Sequence, residues 1–171
     1  FMIKNENRFS KLQLIFLLLL RFLVGWHLLF EGVSKVLNPQ WSSLGFLQES
    51  KWILSGFAQW IISNPHILNM IDFLNTWGLI AIGLGLILGL CFRTAAIAGS
   101  ILLLIYYLNS PPLVGFEYSL PADGNNLIIN KTLIETVTLC VLALFSTSKI
   151  LGLDALVYKY MNRKRKEKVV K

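Results

Sequence analysis

The sequence predicts an all-α integral membrane protein, a four-transmembrane-helix bundle with an outer interfacial helical loop between helices one and two. Three observations lead there. Of 171 residues, 55% are hydrophobic and 15% charged, with mean hydropathy +0.62, whereas a soluble domain carries roughly 25% charged residues. Four apolar blocks, residues 12–33, 70–92, 94–110 and 126–147, approach the ~20 residues that cross ~30 Å of hydrocarbon at ~1.5 Å per residue. Finally, Arg21, His27, Glu31 and Lys35 fall within or just beyond the first block. An ionisable group at membrane depth costs roughly 3 kcal/mol on insertion scales and normally faces a bundle interior, a partner charge or a polar cavity.

Residues 1–11 form a basic N-terminal segment with Lys4, Arg8 and Lys11, followed by helix one. A basic start and an apolar run also describe a signal peptide, but no small-x-small cleavage site follows, and Arg21 and Glu31 interrupt the run. At roughly 100° per residue, Arg21, Gly25, Gly32 and Lys35 share a face that His27 and Glu31 flank. His27, Glu31 and Lys35 also form an i, i+4, i+8 ladder, with Glu31 between two donors.

The outer loop, 34–69, contains Trp41, Trp52 and Trp60, and Trp77 follows in the first turns of helix two. Tryptophan prefers the headgroup level, where its ring and its N–H are both served. Phe46, Ile53, Phe57, Trp60 and Ile61 recur at roughly helical spacing, opposite Glu49, Lys51, Ser55 and Gln59. This predicts one or two short helices in the interface, ended at Asn64-Pro65 and capping the bundle or docking a partner. Helix two is expected to begin near Asn69 or Asp72. Its Gly78, Gly85 and Gly89 share one face, and Gly99 continues the small-residue pattern in helix three. Such faces allow close helix approach in lipid, within one chain or between copies as a homo-oligomer. Helices two and three then form a tight hairpin. The second outer loop, 111–125, is rich in proline and glycine and reads as a turn-rich lid. Helix four carries Lys131 and Glu135, completes a transmembrane domain over 12–156, and leads to a basic tail, 157–171.

Most of the 16 basic residues lie in the N-terminal segment, at Arg93 and in the tail. The positive-inside rule therefore places both termini in the cytoplasm. The run at 163–168 is read as a topology anchor against anionic lipid and not as a nucleic-acid site. Cys91 and Cys140 form no Cys-x-x-Cys pair and read as buried small hydrophobes. No motif for a metal, flavin, haem or iron–sulfur centre is present. His66 is expected in the outer loop, which leaves His27 without an intramembrane partner histidine.

Helix four runs antiparallel to helix one, which brings Lys131 near the level of Glu31 and Glu135 within reach of Arg21. Two readings stay open. The charges pair, Arg21 with Glu135 and Glu31 with Lys131 or Lys35, and fix helix register. Alternatively they line an outward-opening pocket where Glu31 and His27 exchange protons with a bound redox ligand.

At these residues the chain resembles the DoxX family. The resemblance rests on Arg21-Phe-Leu-Val-Gly25 with Phe30-Glu-Gly-Val-Ser-Lys35, on the glycine-spaced run from Trp77 to Arg93, on Asn126-Leu-Ile-Ile-Asn130, and on Leu151-Gly-Leu-Asp154. Asn38-Pro-Gln-Trp41, Gly45-Phe-Leu47 and Asn64-Pro65 are closest to the DoxD-like branch, similar to the small subunit of thiosulfate:quinone oxidoreductase. That resemblance implies a protein of a bacterial or archaeal inner membrane and a membrane subunit of a quinone-linked redox system, oxidising thiosulfate to tetrathionate in some members, working with other membrane or periplasmic subunits and not catalytic alone. The competing expectation is a non-catalytic scaffold or anchor of a cell-envelope complex. A transporter is disfavoured, because the spans show neither an inverted repeat nor an internal proline.

Overall fold

The computed structural model describes residues 10–113, 115, 118, 128–145, 152–154 and 159. Six helices follow one another: α1 (Lys11–Leu37), α2 (Leu44–Gln48), α3 (Ser55–Ile62), α4 (Pro65–Leu88), α5 (Phe92–Asn109) and α6 (Lys131–Leu144). No β-strand occurs among the described residues. Three helices, α1, α4 and α5, are long and apolar enough to cross a membrane. As described, the fourth predicted span is the 14-residue α6.

The helix ends have local causes. Ser10 accepts the Gln13 backbone N–H while the Gln13 side chain accepts that of Ser10, a reciprocal cap that starts α1. At the other end α1 runs one turn beyond the expected stop at residue 33. The start of α4 differs most from expectation: Asn64 is its N-cap and Pro65 stands in its first turn, several residues before residue 70. Proline at that position lacks an N–H that would be unpaired anyway, and its φ is preset for a helix. Similarly, α6 begins at Lys131 and not at 126, because the Asn130 side chain accepts the Leu133 N–H at 2.9 Å. Gly89, at φ 67°, ends α4 in the left-handed region that glycine enters without strain.

The chain packs mainly as two antiparallel pairs, α1 against α4 and α5 against α6, with α4 also packed on α5. Val24, Leu28, Leu79, Leu86, Phe92, Ala96, Leu103, Leu139 and Leu142 form the core. A second cluster of Leu47, Ala58 and Ile61 seats α2 and α3 on Ile67, Leu68 and Ile71 of α4. The early start of α4 makes this possible, since its first turns extend past the end of α1 and offer that surface. Outward, the helices present Phe16, Leu23, Trp26, Phe30, Phe73, Leu84, Ile101, Ile105, Ile134 and Val137. So broad an apolar surface has no place in water and fits contact with lipid.

Three of the glycines expected at contacts lie where helices approach most closely. A Cβ on Gly25 would stand 3.0 Å from Leu86 and Ile87, one on Gly32 2.7 Å from Ile80, and one on Gly99 3.0 Å from Ile82 and Leu139. Gly85 meets Ala95 across the α4–α5 hairpin. Gly78 is a correction, for it faces open space. The tightest position in α4 is Gly83, where a Cβ would stand 2.6 Å from Leu29 N and 2.8 Å from Gly25 O. Only the rotation of α4 against α1 decides which glycine is used, and that rotation follows from packing.

Candidate functional site

The polar centre of the bundle is built around Lys35. One turn before it in α1, Glu31 supplies a carboxylate oxygen 3.0 Å from the ammonium. From α4, Asn75 Oδ1 accepts a second Lys35 N–H at 3.3 Å, and the same oxygen accepts the Tyr106 hydroxyl of α5. Three helices thus converge on one carboxamide oxygen. The Trp41 ring lies 4.7 Å and the Tyr106 ring 5.6 Å from the Lys35 nitrogen, positions in which the ring faces attract a cation. The Lys35 side chain is 10% exposed and that of Glu31 34%, so the carboxylate forms the open side.

Trp41 and α2 are held over this centre by a second polar set. Asp72 of α4 accepts the Ser43 N–H at 2.9 Å, the Ser42 hydroxyl at 2.8 Å and the Ser43 hydroxyl. Asn109, buried at the end of α5, donates to Phe46 O at 2.9 Å, and Phe46 meets the Tyr106 ring edge-on at 5.5 Å. The segment between α1 and α4 is therefore tied to the bundle by directed bonds as well as by apolar contact. Of the four tryptophans expected as a cap, Trp41 takes this place. Trp52 is half-buried, Trp60 is exposed and stacked on Phe57, and Trp77 is exposed beside Phe73.

Further along α1, His27 Nε2 lies 3.6 Å from Glu135 Oε1 of α6. Glu135 is thus placed at the level of His27, not of Arg21. Lys131 is exposed at the start of α6, and Glu31 pairs with Lys35. Arg21 belongs to the opposite end of the bundle. It is buried, donates to Ile87 O at 3.1 Å and lies over the Phe92 ring at 5.2 Å. There Asp154 accepts the N–H groups of Cys91 at 2.8 Å and Phe92 at 3.2 Å, while its own N–H reaches Gly89 O at 3.0 Å. A carboxylate distant in sequence thus caps α5 beside the Arg21 guanidinium.

The sequence reading found Lys35 and Glu31 but missed Asn75, Tyr106, Asp72 and Asp154. Asp72 and Asn75 both lie within the predicted second span, three residues apart and so on one face of α4, a polar pair in an apolar helix that the sequence displays. No group of three metal-ligating side chains occurs among the described residues.

The profile of the DoxX family matches residues 16–109, more than half of the chain. The chain belongs to the DoxX family. No curated protein and no solved structure matches it. The DoxX match runs from α1 to the end of α5, so Arg21, Glu31, Lys35, Asn75 and Tyr106 fall inside the family's domain. Lys131, Glu135 and Asp154 of this DoxX protein lie beyond it.

Proposed function

We propose that this DoxX protein is the membrane subunit of a quinone-linked redox system, with the quinone headgroup handled at Lys35. The observation that carries the reading is the connected set Glu31, Lys35, Asn75 and Tyr106, drawn from three helices and open at Glu31. A quinone takes up two electrons and two protons to become a quinol. Lys35 has three N–H groups, and Glu31 and Asn75 engage two, which leaves a donor for a quinone carbonyl. Glu31 is the group that relays protons from the open side, and the His27–Glu135 pair lies one turn from it along α1. The electrons come from a donor site on a partner subunit. The resemblance to the DoxD-like branch makes thiosulfate the donor to test, two thiosulfates yielding one tetrathionate and two electrons.

In the orientation that the basic residues favour, both termini are cytoplasmic in an inner membrane and Lys35 lies towards the outer side. Both cysteines are exposed and not buried as expected; Cys91, at the α4–α5 turn, then reacts with an impermeant maleimide in inverted vesicles and not in intact cells. The functional test is thiosulfate-dependent quinone reduction in membranes containing the protein with its co-purifying chains. Full activity in Glu31→Gln and Lys35→Met variants would remove this cluster from the mechanism.

A scaffold reading has its own support: α3 is pinned to α4 yet presents Phe57 and Trp60 outward, with Ile53 exposed just before it. It requires a stoichiometric partner on native purification, lost on Trp60→Ala, with no quinone reduction by the complex.

A further inference from the structure

A groove of about 550 Å³ lies where the first turns of α1 diverge from the end of α6, far along α1 from Lys35. Leu12, Phe16, Leu17 and Leu20 form one wall, and Val141 and Phe145 the other. The volume is that of a small-molecule site, ~300–1,000 Å³. Gln13 is the one polar side chain in the lining, and its carbonyl oxygen already accepts the Ser10 N–H at 2.9 Å. A polar solute finds little to bind here, so the occupant is hydrocarbon.

Charge decides which hydrocarbon. Lys11 is exposed immediately beside Leu12, Arg8 and Lys4 precede it in the sequence, and the first turn of α1 contains no acidic residue. A second copy of the chain would bring the same positive segment to the same mouth, and the chain's own tail at 163–168 is basic as well. The complementary occupant has an apolar chain and a negative head.

We infer that this groove seats an acyl chain of an anionic phospholipid whose phosphate pairs with Lys11. The site is separate from the Lys35 cluster and does not depend on its redox reading. A Lys or Arg near an anionic lipid surface contributes about fivefold in affinity.

The test is lipid retention by the full-length protein, purified in mild detergent and offered phosphatidylglycerol and phosphatidylcholine with identical acyl chains, read by native mass spectrometry. Phosphatidylglycerol is expected to be retained over phosphatidylcholine. Lys11→Glu, an exposed change that leaves packing untouched, reduces that preference about fivefold or more. Leu17→Trp fills the groove and reduces retention of both lipids, with helicity by circular dichroism unchanged. Equal retention of the two lipids, or a preference that survives Leu17→Trp, overturns the proposal. So does a dimer that Leu17→Trp dissociates, which would make a second copy the occupant, or uptake that appears only after the tail is deleted, which would make it the tail.

Discussion

Lys35 of α1 donates a hydrogen bond to Asn75 of α4 across 3.3 Å, joining two helices through residues 40 apart in sequence. Asn75 also accepts the Tyr106 hydroxyl, so one small side chain holds the cation of α1 against the phenol of α5. Substituting it leaves two buried donors without their acceptor. Asn75→Ala is expected to lower stability by about 1–3 kcal/mol. Thermal unfolding in detergent measures this, and in the redox reading quinone reduction falls as well, because the Lys35 ammonium loses its position.

Helix approach at Gly83 leaves no room for a side chain, whereas Gly78 faces open space. Gly83→Val is expected to force α1 and α4 apart, with a loss of about 1–3 kcal/mol. Gly78→Ala should be neutral or stabilising by up to about 1 kcal/mol, since alanine is the better helix former. Melting temperatures of the two variants, measured side by side, check the assignment; equal losses would refute it.

Asp154 caps α5 in place of a local side chain, since Cys91 at its N-cap makes no side-chain cap bond. Asp154→Ala is expected to cost about 0.5–2 kcal/mol. The backbone N–H groups of Cys91 and Phe92 should also exchange faster with solvent deuterium, while those at the α1–α4 crossing stay protected.

Tyr118 lies in the segment after α5, where its hydroxyl donates to Pro111 O at 2.8 Å and Lys51 stands 5.2 Å over its ring. Burial pushes its phenol above the ordinary value of 10.0, and the nearby Glu49 carboxylate pushes the same way. With a raised folded value, the stabilisation is complete below pH ~10 and is lost as pH rises through the folded value, because the unfolded chain ionises first. Comparing the ultraviolet titration of the wild type with that of Tyr118→Phe should show the missing phenol ionising later than pH ~10. A missing transition at or below that pH would contradict the placement.

Much of this protein is legible locally. The apolar blocks locate α1, α4 and α5 because twenty consecutive apolar residues have few other uses, and helical spacing alone puts Glu31 within reach of Lys35. The early start of α4 is also readable, since Asn64-Pro65 is a helix-opening pair as well as the end of the segment before it. Residues 1–9, most of the predicted lid at 111–125 and nearly all of the tail at 157–171 lie outside the described residues.

The sequence by itself determined the membrane class, the principal helices and the Glu31–Lys35 pair, because hydropathy and the 3.6-residue period act over short stretches of chain. The tertiary structure decided that Asn75 and Tyr106 complete the Lys35 cluster, that Glu135 meets His27, that Arg21 lies near Asp154 at the α4–α5 turn, and that Gly83 and not Gly78 is the α4 glycine against α1. Each depends on how one helix is rotated and shifted against another. That choice is made by the summed packing of side chains along whole helix faces, which no single spacing in the chain records.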